Sequence, residues 1–285
     1  MPVAYSADNQ SLYHPERDIT LLCDSDWPDE IALAAELSRL AYLRAEKKGA
    51  GEKEKLTGIL KAAGFGAPEL LNDVARDAYG FATCHASGLC VLAFRGTQID
   101  HYQDFLTNIQ TLPEYCRYGR VHTGFQKSAQ ALQPLAENWL KKMTAKRTHL
   151  LICGHSLGGA IATLLAMALQ PDTLITIGCP RVGDDEFVSS LLGQPHLQVI
   201  RVVNCCDAVP TVPPTFLGYE HAGNALYLDC NGKLLHNPTA SALKSDRAAG
   251  RKIYAPLYEA DRLNHVPVRW LADHAPHNYI RAFWP

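Results

Sequence analysis

Gly154-His155-Ser156-Leu157-Gly158 sets a serine between two glycines. The apolar run His149–Cys153 leads straight into it, and the Ala/Leu-rich run Leu157–Leu169 follows. Strand, tight turn and helix in that order form the context in which a serine is presented as a nucleophile. At the tip of such a turn the flanking backbone passes close by, and glycine avoids a Cβ clash there. The N-terminus of the following helix also favours negative charge developing beside the serine. A serine hydroxyl is a weak nucleophile until a base takes its proton, and histidine is the side chain that can do so at neutral pH. His196, His221, His236, His265, His274 and His277 lie downstream. For the acid, Asp207 stands out. It follows the strand-like run Leu197–Val203 across Asn204-Cys205-Cys206, and Val209-Pro210 ends regular structure after it. That puts a carboxylate on a loop at the C-terminal end of a strand, where open α/β sheets carry their sites.

The elements that must position these groups alternate. His149–Cys153, Thr173–Ile177 and Leu197–Val203 read as strands, with Leu157–Leu169 and Asp184–Leu192 as helices between them. This βαβαβ order predicts a parallel sheet covered by helices on both faces. Upstream, Trp27-Pro28-Asp29-Glu30 opens a helix whose stripe is Ile31, Ala34, Ala35, Leu37, Leu40 and Ala41. The charged stretch 44–55 predicts an exposed turn into a second short helix ending at Lys61. Tyr79–Cys84 and Leu89–Phe94 predict a hairpin. The polar stretch 231–251 reads as loop, and Arg269-Trp270-Leu271 leads into a final helix, His277–Phe283. No internal repeat or linker divides the chain, so 1–285 is expected to be one domain.

With 285 residues, 47% of them hydrophobic, the chain can bury one sizeable core and is not of disordered composition. A formal net charge of -2 gives no electrostatic footprint for nucleic acid. No apolar run reaches the roughly 18 residues of a membrane span. No Cys/His cluster has metal-ligand spacing, so no metal is expected, and a serine nucleophile with a histidine base needs no organic cofactor. Cys84 and Cys90 flank Ala86-Ser87-Gly88, where a hairpin would set them opposite each other. The favoured reading is nonetheless reduced structural thiols in a cytoplasmic protein with no signal peptide, although a mature secreted form would read the same.

A series of motifs then resembles one family. In order they are Phe94-Arg95-Gly96-Thr97, Val121-His122-Thr123-Gly124-Phe125, Gly154-His155-Ser156-Leu157-Gly158-Gly159-Ala160 and Gly178-Cys179-Pro180-Arg181-Val182-Gly183. Val203-Asn204-Cys205-Cys206-Asp207-Ala208-Val209-Pro210 and Asp273-His274-Ala275-Pro276-His277-Asn278-Tyr279 complete them. The chain looks like a class 3 (fungal-type) lipase of the α/β-hydrolase fold. The resemblance implies Ser156 as nucleophile, Asp207 as acid and His274 as base, with an oxyanion hole from Leu157 and Thr97. His277, three residues on, is expected to cap or line the last helix, and His155, Arg95 and Arg181 to be structural. The implied activity is carboxylic ester hydrolysis of the triacylglycerol lipase or esterase type. Phospholipase A1 and feruloyl esterase are the near alternatives, and a non-catalytic interaction protein is the distant one. Oligomeric state is not legible.

The family carries a lid after the oxyanion strand, which here corresponds to residues 98–120. Tyr102, Phe105, Leu106 and Ile109 fall at i, i+3, i+4 and i+7, one apolar helix face suited to a lipid–water interface. Val209 to Leu217, with Phe216, is the expected opposite lip of an acyl pocket.

Overall fold

The computed structural model describes residues 3–284 except 25, 48, 50, 98–108, 110 and 111. Its central feature is an eight-stranded sheet in the order β1-β2-β3-β6-β7-β8-β9-β10. The strands are β1 (Glu69–Asp73), β2 (Ala78–Cys84), β3 (Leu89–Phe94), β6 (His149–His155), β7 (Thr173–Ile177), β8 (Gln198–Asn204), β9 (Ala225–Leu228) and β10 (Leu234–His236). Strands β3, β6, β7, β8 and β9 run parallel, while β1, β2 and β10 are antiparallel to their neighbours. A separate ribbon pairs β4 (Glu114–Cys116) with β5 (Gly119–Val121).

Both sheet faces are buried, which explains why the inner strands read as unbroken apolar runs. Leu150 and Ile152 of β6, with Leu92 and Phe94 of β3, point into one core. That core is closed by helices α4 (Thr123–Met143), α5 (Leu157–Leu169) and α6 (Asp185–Leu192). Leu151 and Cys153, with Val91 and Ala93, point into the other. There α2 (Glu30–Leu40), α3 (Glu52–Ala62) and Tyr279 of α9 (Pro276–Ile280) cover the sheet. The alternation along each strand is the period of two that a pleated backbone imposes. Asp29 caps α2 by accepting from the Ala32 N–H, so the expected helix start is where the Asp-Glu signal put it.

Two expectations need correction. The polar stretch 231–251 holds β10 and most of a helix, α7 (Ala240–Ala260), capped by the Thr239 hydroxyl. Only Gly250 and Tyr254 of that helix are buried, so it shows no apolar stripe; its Ala, Lys and Arg content supplies helix propensity instead. The final helix, expected over His277–Phe283, is α9 and ends at Ile280, and Arg269–Ala272 forms a separate short helix, α8, with Asp273, His274 and Ala275 between the two. A short helix, α1 (Asn9–Tyr13), packs beside α8 and α9.

Among the described residues no helix is long and apolar enough to cross a membrane. Cys84 and Cys90, opposite each other in the β2–β3 hairpin, are joined by a disulfide, against the expectation of reduced thiols. Cys153, Cys179, Cys205, Cys206 and Cys230 are buried free thiols.

The turn between β6 and α5 leaves no room for a side chain at Gly158. A Cβ on Gly158 would lie 2.1 Å from the Phe94 carbonyl oxygen, which cannot give way without moving β3. Gly158→Ala should therefore lower stability by about 3 kcal/mol or more in urea unfolding. Gly58, exposed in α3 with open space around it, is the control. Gly58→Ala should raise stability by about 0.5–1 kcal/mol. Equal effects would show that the elbow has room the structure denies it.

Candidate active site

Ser156 sits between β6 and α5 at φ 56° and ψ −126°, a backbone conformation that costs a non-glycine residue on the order of 1–3 kcal/mol. It is held there because its N–H donates to the Ile177 carbonyl of β7 at 2.9 Å and because Gly154 and Gly158 let the strand and helix backbones touch. The strain turns the hydroxyl toward His274. The Ser156 Oγ lies 3.0 Å from His274 Nε2, and His274 Nδ1 lies 2.8 Å from Asp207 Oδ2. All three side chains are buried. With Nδ1–H donating to the carboxylate, Nε2 is the ring nitrogen left to receive the serine proton.

Asp207 follows β8 in a turn closed by its own N–H donating to the Asn204 carbonyl. Besides His274, the Tyr279 hydroxyl donates to Oδ2 at 2.5 Å and the Val209 N–H to Oδ1 at 2.8 Å. Burial, followed by the facing Asp207 charge, pushes the Tyr279 hydroxyl well above its ordinary pKa, so it stays a donor. Tyr279 OH also accepts from the Asn204 N–H.

A second buried carboxylate fixes the loop that carries His274. Asp273 accepts from Arg269 Nε at 3.1 Å, the Tyr5 hydroxyl at 2.9 Å and the Cys206 N–H at 2.9 Å. Asn204 Nδ2 donates to the Asp273 carbonyl. The 204–207 and 273–279 segments are thus tied at several points, which sets the distance from acid to base.

A third set of bonds runs behind the serine. Gly96 packs against the Tyr42 hydroxyl so closely that a Cβ there has no room. The Tyr42 O–H lies 2.7 Å from His155 Nδ1, and His155 Nε2 lies 2.8 Å from the His274 carbonyl. Since a carbonyl only accepts, His155 carries its proton on Nε2 and takes the Tyr42 hydroxyl on Nδ1. Burial, then proximity to His274, pushes the His155 pKa well down, so the ring stays neutral. Gly96, in turn, presses against Ser156, since a Cβ there would meet the Ser156 Cβ at 2.9 Å.

The residues singled out in the sequence fall as follows. Ser156, Asp207 and His274 come together. Thr97 follows Gly96 at the end of β3 and is half-buried; Leu157 is the first residue of α5, where the N–H has no intrahelical acceptor. His277 is elsewhere, its ring between Asp18 Oδ2 and the Ala4 carbonyl. Arg95 pairs with Glu46 and stacks on Tyr79, while Arg181 donates to the Thr211 and Pro213 carbonyls. Tyr102, Phe105 and Leu106, with most of 98–120 up to Thr111, lie outside the described residues. Ile109 is described and buried in the core under α4 and α5. Val209 is likewise fully buried, so it holds Asp207 rather than forming a lip; Phe216 is 84% exposed. Tyr42, Tyr5, Arg269 and Asp273 went unassigned in the sequence, although Asp273 adjoins His274. A concavity of about 860 Å³ around Phe65, His85 and Trp139 opens at the far end of β2 and β3, away from the serine.

A serine, an imidazole and a carboxylate in line, at the carboxyl ends of parallel strands, define the α/β-hydrolase superfamily by fold and site together. Residues 91–217 match the family described as lipase (class 3). It is 33% identical over 175 residues to the secreted mono- and diacylglycerol lipase 1 of Fusarium solani, covering 57% of this chain and 50% of that protein. It is 36% identical over 169 residues to phospholipase A1-II 1 of Oryza sativa subsp. indica, covering 49% and 42%. The chain therefore spans half or less of these relatives' own length. Its fold matches that of a lipase from Rhizopus microsporus var. chinensis with a TM-score of 0.56, at 25% identity over 69% of this chain and 71% of that one.

Tyr279→Phe leaves the Asp207 carboxylate one donor short at a site closed to water. Loss of a bond to a charged group costs about 1.5–3 kcal/mol. The rate at which a fluorophosphonate labels Ser156 should fall by roughly tenfold to a hundredfold. An unchanged labelling rate would mean that the tyrosine does not support the acid.

Proposed function

We propose that the chain is a serine carboxylic ester hydrolase acting on acylglycerols, built as a single α/β-hydrolase domain over 1–285. The observation that carries this reading is the His274 ring, 3.0 Å from the Ser156 hydroxyl and 2.8 Å from the Asp207 carboxylate. In the reaction Ser156 attacks the ester carbonyl as His274 takes its proton. The oxyanion is held by N–H groups of Thr97 and Leu157, with the Thr97 hydroxyl adding a bond; each such donor is typically worth about 3–4 kcal/mol in the transition state. Protonated His274 then donates to the leaving alcohol, and water repeats the sequence on the acyl-enzyme. Acylglycerol is favoured because the Fusarium solani lipase is alike over the larger share of this chain. The likeness to a plant phospholipase A1 supports sn-1 phospholipid hydrolysis as the second reading. The lid expected within residues 98–120 falls mostly outside the described residues. The expectation of a cytoplasmic protein gives way to an oxidising compartment, which the Cys84–Cys90 disulfide and the secreted relative both support.

Ser156→Ala should lower kcat by roughly 10⁴-fold or more on a short-chain p-nitrophenyl ester, and His274→Ala nearly as much, since the two act as a unit. His277→Ala should cost about tenfold or less. The reverse ranking of the histidines would remove His274 from its role. Wild type assayed on emulsified diacylglycerol, triacylglycerol and phosphatidylcholine separates the two substrate readings. Faster turnover of phosphatidylcholine would select the phospholipase.

A further inference from the structure

The turn from Asn204 to Asp207 contains two adjacent cysteines that the ester chemistry does not use. The Cys205 and Cys206 sulphurs are 3.5 Å apart, close enough for one thiol to donate to the other. They pack with Cys230 and Trp270 beneath helix α7. Gly250 of that helix rests on both, since a Cβ there would meet Cys205 Sγ at 2.9 Å and Cys206 Sγ at 3.1 Å. Cys205 has no exposure, but Cys206 borders a surface cleft of about 310 Å³ together with Asp207, Ala208, Thr211, Arg247, Arg251 and Trp270. The two arginines give the cleft a cationic rim, which suits an anionic reagent. The hydrogen bond from Cys205, with the Arg269 and Arg251 charges behind it, holds the Cys206 thiol below its ordinary pKa and makes it the attacking group.

We propose that Cys205 and Cys206 form a redox-active dithiol, a modification site separate from Ser156, which an anionic small-molecule disulfide such as glutathione disulfide oxidises to a Cys205–Cys206 disulfide. The Cys206 thiolate attacks one sulphur of the glutathione disulfide. That S–S bond breaks, and the first glutathione leaves with the proton Cys206 has lost. The Cys205 sulphur then attacks Cys206 Sγ in the mixed disulfide, and the second glutathione leaves with the proton from Cys205. Two protein thiols are oxidised and one disulfide is reduced to two thiols.

Ring closure has a structural consequence. Consecutive Cα atoms are about 3.8 Å apart across a trans peptide. A disulfide ordinarily spans Cα atoms about 4.4–6.8 Å apart, so the bond must distort the backbone between the two cysteines. That backbone carries the Cys206 N–H bonded to Asp273 and leads directly into Asp207. Oxidation therefore draws the acid off His274 and slows the reaction, a consequence that rests on the ester hydrolase reading.

The test is exposure of the full chain to glutathione disulfide, alkylation of remaining thiols, and mass mapping of the tryptic peptide that begins at Val202. Fragmentation between Cys206 and Cys230, which share that peptide, locates the bond. The expected result is a peptide lighter by two hydrogens with Cys205 and Cys206 protected, and Cys230 alkylated. Ester hydrolysis should fall at least about tenfold as the triad loses its acid and return with dithiothreitol. Cys205→Ala should keep basal activity and stop at a glutathione adduct on Cys206. Full alkylation of both cysteines, a stable adduct on wild-type Cys206, or a bond to Cys230 would overturn the dithiol. Ring closure with hydrolysis unchanged would overturn its link to Asp207. The mass readout holds whether or not the chain cleaves esters, so failure of the dithiol and failure of the hydrolase reading give different results.

Discussion

Asp207 has no exposure to solvent, and a carboxylate taken out of water must be matched by donors or it will not stay charged. Three groups match it here: the Tyr279 hydroxyl, the Val209 N–H and the His274 Nδ1–H. None of them is near Asp207 in the chain except Val209. The need for the other two is what pins the C-terminal segment, with α9 and the loop before it, onto the end of β8. Asp273 repeats the arrangement one residue before the histidine, where Arg269 and Tyr5 balance its charge. Two buried carboxylates, each satisfied from a different direction, therefore fix the imidazole between them and leave its Nε2 facing Ser156.

The serine side is held by sterics rather than charge. Positive φ at Ser156 and the contact of Gly158 with the Phe94 carbonyl force β3, β6 and α5 to converge at one point. The hydrogen bonds from Tyr42 through His155 to the His274 carbonyl, with Gly96 packed against the Tyr42 hydroxyl, then join the end of β3, the elbow and the base in one rigid unit. Tyr42 lies just past the end of α2, so the N-terminal helix layer, which carries no family motif, takes part in positioning the site. This is a functional reason for α2 to pack against β6, in addition to the apolar burial of Leu33, Leu37 and Leu40.

Much of this was legible from the residues. The parallel strands announce themselves because burial on both faces demands continuous apolar runs, and the Gly-x-Ser-x-Gly turn does so because steric crowding admits few alternatives. Asp207 was legible from its place after a strand. What was not legible depends on contacts distant in sequence. Tyr42 reads as one more residue at the end of a helix, and only the fold brings it to His155. The choice between His274 and His277 could not be made from spacing alone; it follows from Asp18 and the Ala4 carbonyl engaging the second ring. Helix α7 escaped because a surface helix with two buried residues leaves almost no hydrophobic period to detect. Val209 looked like part of an apolar lip because sequence reports its side chain, whereas its N–H is the group that matters.

The central claim is that Ser156 becomes covalently acylated by a reaction that His274 and Asp207 drive. Rapid acid quench during turnover of a slow ester substrate, followed by peptide mass analysis, tests it most directly. The account predicts an acyl group on the peptide containing Ser156, formed in the wild type and absent from His274→Ala despite an intact fold. An acyl group on any other residue, or turnover with Ser156 unmodified throughout, would contradict it.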